Sequence, residues 1–197
     1  MILGAEHHNV PAFASSFPEL IMMHLLDQTK SIRIRSGGIM LPHYSPLKVA
    51  ENFKILEALH PVRVDLGIGN TSGTKAVKNA LNECKTVRFN YEESIKDLHG
   101  YLTSLPHDHR YKGVVANPNI NETLQMWVLS SSVKSARLAT KLGLGYAFGL
   151  FPYASKDRME VGKEAIRVYP RDFYAFSFLI EANSYGSALF SSGRRYK

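Results

Sequence analysis

Alternating and helically spaced apolar positions take turns along this chain. Ser31–Ser36 (SIRIRS) sets apolar against polar residues with a period of two and predicts a strand. Ser45 then offers an N-cap with Pro46 at the first helical position, and Leu47–Leu59 carries apolar residues at helical spacing. Arg63–Ile68 (RVDLGI) predicts a second strand, followed by a loop over Gly69–Gly73 and a helix from Thr74 to Asn82. Met126–Leu129 (MWVL) predicts a strand leading through Ser130–Ser132 into a helix over Val133–Leu142. Tyr146–Phe148 is short and apolar, Lys156–Arg167 is helical in pattern, and Tyr174–Ala182 predicts a last strand. Between these units, Tyr101–Thr123 is a long polar loop with several His, Asn and Pro residues, a type of loop that often carries function.

Strands alternating with helices of this length imply an α/β fold with a parallel sheet. With no close repeat and no low-complexity linker, residues 1–197 form one domain. Pattern alone leaves a parallel barrel and a doubly wound open sheet in competition. Gly67-Ile68-Gly69 lacks a third glycine at dinucleotide spacing, which argues against a nicotinamide-binding domain.

Composition narrows the classes of function. Hydrophobic residues make up 45% and charged residues 21%, and ten Phe with ten Tyr are too many for a solvated, disordered chain. The longest apolar stretches, such as Tyr146–Pro152 and Phe176–Ile180, fall short of the roughly 20 residues of a membrane helix, so no membrane partner is expected. Met1–Ala5 has no basic n-region, and the single Cys84 allows neither an internal disulfide nor a cysteine metal cluster. Both features fit a cytoplasmic protein. The 24 Lys and Arg against 17 Asp and Glu give a net charge of +7, but the basic residues are scattered. An attraction for anionic cofactors or substrates is expected, and nucleic acid is not.

Four segments fall where strands end, the usual place for chemistry in parallel α/β proteins. In Ala5–Asn9 (AEHHN), a histidine beside a carboxylate suits a base with an orienting partner; a polar loop facing water is the plainer alternative. Adjacent histidines on a strand point to opposite faces and make a poor chelating pair, so no metal is expected. Gly37-Gly38 removes side chains where a flat ligand could approach the main chain, or marks a bulge. The turn Gly67–Gly73 (GIGNTSG) offers amides and hydroxyls to an anion. Ser130–Ser132 with Ser135 opens a helix, where such groups hold phosphate or simply cap.

Together these residues resemble the luciferase-like flavin-dependent monooxygenases, the family of bacterial luciferase. The likeness is densest in SIRIRSGGIMLPHYSPLKVAENFKILEALHPVRVDLGIGNTSG (Ser31–Gly73), with EHHN at Glu6–Asn9 and SSSVKSARLATKLGLGYAF at Ser130–Phe148 agreeing in order. The resemblance implies a (β/α)8 TIM barrel, here incomplete, with about strands two to seven present. It implies reduced FMN as cofactor, or a reduced deazaflavin in some branches, with molecular oxygen and a small aldehyde-like organic substrate. A flavin reductase would supply reduced flavin, and a homodimer would form through helices at Pro18–Lys30 and Pro46–Leu59.

By the same resemblance His7 falls on the family's base and Glu6 beside it at the cofactor. Gly37 and Gly38 match the place of a non-proline cis peptide against the flavin ring. Ser131 and Ser132, with Ser135 close by, match the phosphate-holding residues. Asn70 stands where the family usually carries an arginine. The substrate pocket is expected from Tyr101–Thr123 and Phe148–Tyr153. A non-catalytic flavin-binding protein and an inactive fragment of the family are the alternatives to an oxidoreductase.

Overall fold

Caps and breakers place the helices. In the computed structural model, which describes residues 2–85, 89–150, 156–169 and 174–177, Pro18 opens helix α1 (Pro18–Asp27) and Pro46 opens α2 (Pro46–Leu59). A proline suits the first turn because the amide it lacks has no partner there. Ser45 holds the N-cap position of α2 without a side-chain capping bond, and its carbonyl accepts from the Val49 amide instead. Thr74 caps α3 (Lys75–Leu81) by accepting from the Val77 amide, and Asn90 caps α4 (Tyr91–Leu102) by accepting from that of Glu93. Ser132 caps α5 (Val133–Leu142), which Gly143 closes with a φ of 70°. The last described helix is α6 (Lys156–Val168).

Among the described residues seven strands pair in parallel: β1 (Ile2–Gly4), β2 (Ile34–Ser36), β3 (Ile39–Met40), β4 (Val64–Gly69), β5 (Gln125–Ser130), β6 (Gly145–Leu150) and β7 (Tyr174–Ser177). Their spatial order is β1-β2-β4-β5-β6-β7, with β3 added along β4. The order follows the chain and never reverses, so there is no switch point of the doubly wound kind. With crossovers of one hand, an unreversed order lays the helices over one face and curls the sheet toward a barrel. The fold is therefore α/β, an incomplete parallel barrel.

Strands β2 and β3 are two halves of one interrupted strand. Ile34 pairs with Val64 and Arg35 with Asp65, an offset of 30, whereas Ile39 pairs with Ile68 and Met40 with Gly69, an offset of 29. One extra residue therefore lies in Ser36–Gly38, which makes a bulge.

The core lies between sheet and helices. Met22 and Leu26 of α1, Val49 and Phe53 of α2, and Ile95 and Leu98 of α4 meet Ile34, Leu66, Ile68 and Val128 from the strands. One carboxylate on the sheet serves two arginines. Arg35 is buried over the Trp127 ring at 3.7 Å and donates to Asp65 at 3.1 Å, and Arg33 also donates to Asp65.

Two expectations change, and a third lies partly outside the described residues. Helix α4 occupies a stretch with no predicted element, so the loop predicted from Tyr101 begins at Thr103. The strand predicted over Ser31–Ser36 is confined to Ile34–Ser36. The last strand covers Tyr174–Ser177, and its predicted continuation to Ala182 lies outside the described residues. No helix among the described residues is long and apolar enough to cross a membrane.

Candidate active site

Parallel register brings the C-terminal strand ends to one edge. Gly4 pairs with Ser36, Met40 with Gly69, and Ser130 with Phe148. Ile68 pairs with Val128, so Asn70, two residues on, reaches the level of Ser130. All four predicted segments meet along this edge.

The first segment keeps the alternation of an extended chain. Glu6 and His8 turn to one side, where His8 Nε2 donates to Glu6 Oε1 at 2.8 Å. The same oxygen accepts from the Tyr44 hydroxyl at 2.9 Å, and Oε2 accepts from the Met40 amide at 2.8 Å. Both oxygens of Glu6, expected at the cofactor, are thus engaged by protein donors. The carboxylate orients His8 and not His7.

His7 turns to the other side and stacks on Phe13, with ring centroids 4.5 Å apart. Its amide donates to the Ser15 carbonyl at 2.9 Å, while its buried Nδ1 makes no hydrogen bond of good geometry. Burial holds the imidazole below its ordinary value of 6.5, and the Ala5 carbonyl and Glu6 only partly offset it. His7 is therefore neutral at pH 7, the form that accepts a proton. Nearby His43 is also held low, chiefly by burial, and its Nδ1 pairs with the Asn82 side chain at 2.9 Å.

The second segment is the bulge, with a cis peptide between Gly37 and Gly38. A Cβ on Gly38 would lie 2.9 Å from the Gly67 carbonyl oxygen, and one on Gly37 would strike the Leu3 side chain. Only glycines fit here, and they leave a stretch of bare backbone at the edge.

The third and fourth segments share a cleft of about 920 Å³ lined by Asn70, Asn90, Ser132, Ser135, Lys134 and Arg137, among others. Ser132 Oγ accepts from the Ser135 amide at 3.2 Å and lies 3.0 Å from Ser135 Oγ. Ser131 turns away to accept from Arg158 at 2.5 Å. Asn70 also lines a second cleft, of about 1150 Å³, with Tyr44, Ser72, Lys78 and Arg110.

The polar loop beyond α4 is tied to the helices. Lys54 Nζ donates to the Ala116 carbonyl at 2.9 Å, and Asp97 accepts from His109 at 2.9 Å and Arg110 at 2.5 Å. Of the expected pocket residues, Phe148 is buried in the core and Phe151–Tyr153 lie outside the described residues. Tyr44 and Phe13 went unnoticed in the sequence because nothing local links them to Glu6 or His7. Among the described residues no cluster of three or more His, Cys, Asp and Glu is placed to hold a metal ion.

The family description "luciferase-like monooxygenase" matches residues 1–182. The chain is 42% identical over 179 residues to the uncharacterized protein YceB of Bacillus subtilis (strain 168), covering 86% of this chain and 50% of that protein. It is 38% identical over 168 residues to the N-acetyl-S-alkylcysteine monooxygenase of the same organism, covering 84% and 49%. Among solved structures, apo-MsnO8 superposes with a TM-score of 0.68 at 33% identity, covering 84% of this chain and 46% of that one. The chain belongs to the luciferase-like monooxygenase family. It spans about half the length of the curated relatives it matches.

Proposed function

We propose that this chain carries a flavin site that oxidises a small organic substrate with molecular oxygen, using reduced FMN supplied by a separate reductase. The observation that carries this reading is the shared edge, where bare Gly37–Gly38 backbone, a neutral imidazole and a serine-capped helix start converge. These residues fit the group. The bulge admits a flat ring against the main chain. Asn70, Ser132, Ser135 and the first amides of α5 present donors to a phosphate, with Lys134 and Arg137 adding positive charge. When bound, reduced FMN supplies the electrons for oxygen chemistry.

The chain's own residues then have separate tasks. His7, neutral at pH 7, accepts a proton on its imidazole. Phe13 holds the imidazole plane, and the Ser15 carbonyl holds its backbone.

Titration with oxidised and reduced FMN, followed by flavin fluorescence and thermal melting, tests the reading. Micromolar binding with a raised melting temperature supports it. Oxygen consumption with reduced FMN is then measured on an aliphatic aldehyde and on an N-acetyl-S-alkylcysteine, with His7→Ala as the control. Binding without substrate-dependent consumption identifies a flavin-binding protein without turnover. Tighter binding of a deazaflavin than of FMN corrects the cofactor, and no flavin binding at all overturns the reading.

A further inference from the structure

Glu6 is a fully buried carboxylate, its side chain 0% exposed, and it accepts hydrogen bonds from a backbone amide, a phenol and an imidazole. Burying an anion is costly unless donors replace the water it loses. Here they come from three separate places in the chain. His8 lies two residues on, Met40 follows the bulge, and Tyr44 precedes α2. Tyr44 is kept as a donor because burial, then the Glu6 charge, pushes its phenol well above the ordinary range.

We propose that Glu6 is a positioning residue, whose carboxylate ties the loop after β1 to the strand beyond the bulge and so holds His7 at the edge. The inference rests on the flavin reading for its functional consequence but not for its geometry. His7 is flanked by two residues bonded to each other, so the alternation of the chain leaves it only the opposite side, against Phe13. Met40 pairs with Gly69 in the next strand, so the tie reaches from the histidine loop through the bulged strand to β4. Glu6 touches neither the reacting edge of His7 nor the bare backbone, and acts through both.

The test uses the full chain with Glu6→Ala, Glu6→Gln and Tyr44→Phe. The apo protein is examined by thermal melting and by NMR titration of the His7 imidazole, and FMN affinity is measured by fluorescence. The two roles open to Glu6 move His7 in opposite directions. Loss of a mere neighbouring charge lowers its proton affinity further, because the Glu6 charge now raises it. Loss of a clamp frees the ring to water and raises its titration toward the ordinary 6.5.

The expected result is a folded Glu6→Ala protein with His7 titrating higher and FMN bound about tenfold more weakly. Glu6→Gln removes the charge but keeps an acceptor oxygen, so its His7 titrates below that of Glu6→Ala. Tyr44→Phe removes one donor and keeps the charge, and gives a smaller rise. If Glu6→Ala does not fold, Tyr44→Phe is the deciding variant. The proposal is overturned if folded Glu6→Ala, or Tyr44→Phe in its place, leaves His7 unmoved or lower. Should the wild-type chain bind no flavin while Glu6→Ala still raises the His7 titration, the flavin reading fails and the clamp stands.

Discussion

The hydroxyl of Ser36 bonds the backbone of Gly67 in both directions, donating to its carbonyl at 2.8 Å and accepting from its amide at 2.9 Å. Where the bulge pulls the main chain of β2 out of register with β4, a side chain takes the place of the missing rungs. Ser36 is wholly buried, so water cannot substitute for it.

Ser36→Ala leaves a buried amide and a buried carbonyl without that partner. The expected loss is about 1–3 kcal/mol of stability, read as a lower urea midpoint with an unchanged slope. A midpoint equal to that of the wild type would show that the rungs are not needed.

Glycines of β4 differ sharply in what they tolerate. A Cβ on Gly67 would strike the Ser36 carbonyl oxygen, which is backbone and cannot swing aside, whereas the nearest atom to a Cβ on Gly69 is 3.9 Å away. Gly67→Ala is expected to cost about 4 kcal/mol or more, and Gly69→Ala to stay within about 1 kcal/mol. Urea unfolding of the two variants side by side checks the contrast.

Acid sensitivity should follow the buried imidazoles. Burial holds His7 and His43 below 6.5, so as the pH falls the unfolded chain takes up their protons first. Their contribution to stability is present above 6.5 and is lost as the pH drops from there through their folded values. Glu19 and Glu57, raised mainly by burial, act in the opposite sense on the acid side. The informative measurement is therefore a difference. His43→Asn should lose less stability than the wild type between pH 7.5 and pH 5.5 (roughly one unit either side of the histidine range). Equal losses would remove His43 from the account.

Asn70→Arg places a guanidinium at the mouth of the cleft that also holds Ser132 and Ser135. A charge-assisted contact of about 1.5–3 kcal/mol corresponds to FMN binding tightened by about tenfold to a hundredfold. Riboflavin, which lacks the phosphate, should bind as to the wild type. Parallel titrations with the two flavins would expose a gain that does not depend on phosphate.

The legible parts of this chain were those where one local signal sufficed. The helices after Thr74 and Ser132 begin within a residue of where the pattern put them, and the strand over Arg63–Ile68 is found at Val64–Gly69. Helix α4 was missed although Asn90 with Glu93 and the spacing of Ile95, Leu98 and Leu102 mark it; its polar first turn hid the start. At the site, the alternation rule separated His7 from His8 correctly. Which of them the carboxylate would hold was not legible, because the choice depends on Met40 and Tyr44, more than 30 residues away. Arg35 reads as a solvent-facing residue in an alternating strand, yet it is buried, since a barrel strand has no solvent face.

The offset change from 30 to 29 also acts as a parity switch on the coding sequence. Arg35 pairs with Asp65 on one face, while Ile39 shares a register with Ile68 of the core, so two odd-numbered residues of one strand serve opposite faces. Deleting either glycine would remove the extra residue and leave Ile34 and Ile39 on the core face by plain alternation, so the core would be kept and the bulge lost. Between Ser36 and Ile39, a single lost codon therefore removes the bare backbone of the bulge but keeps the core residues inward, whereas a lost pair turns Ile39 and Leu41 out of the core.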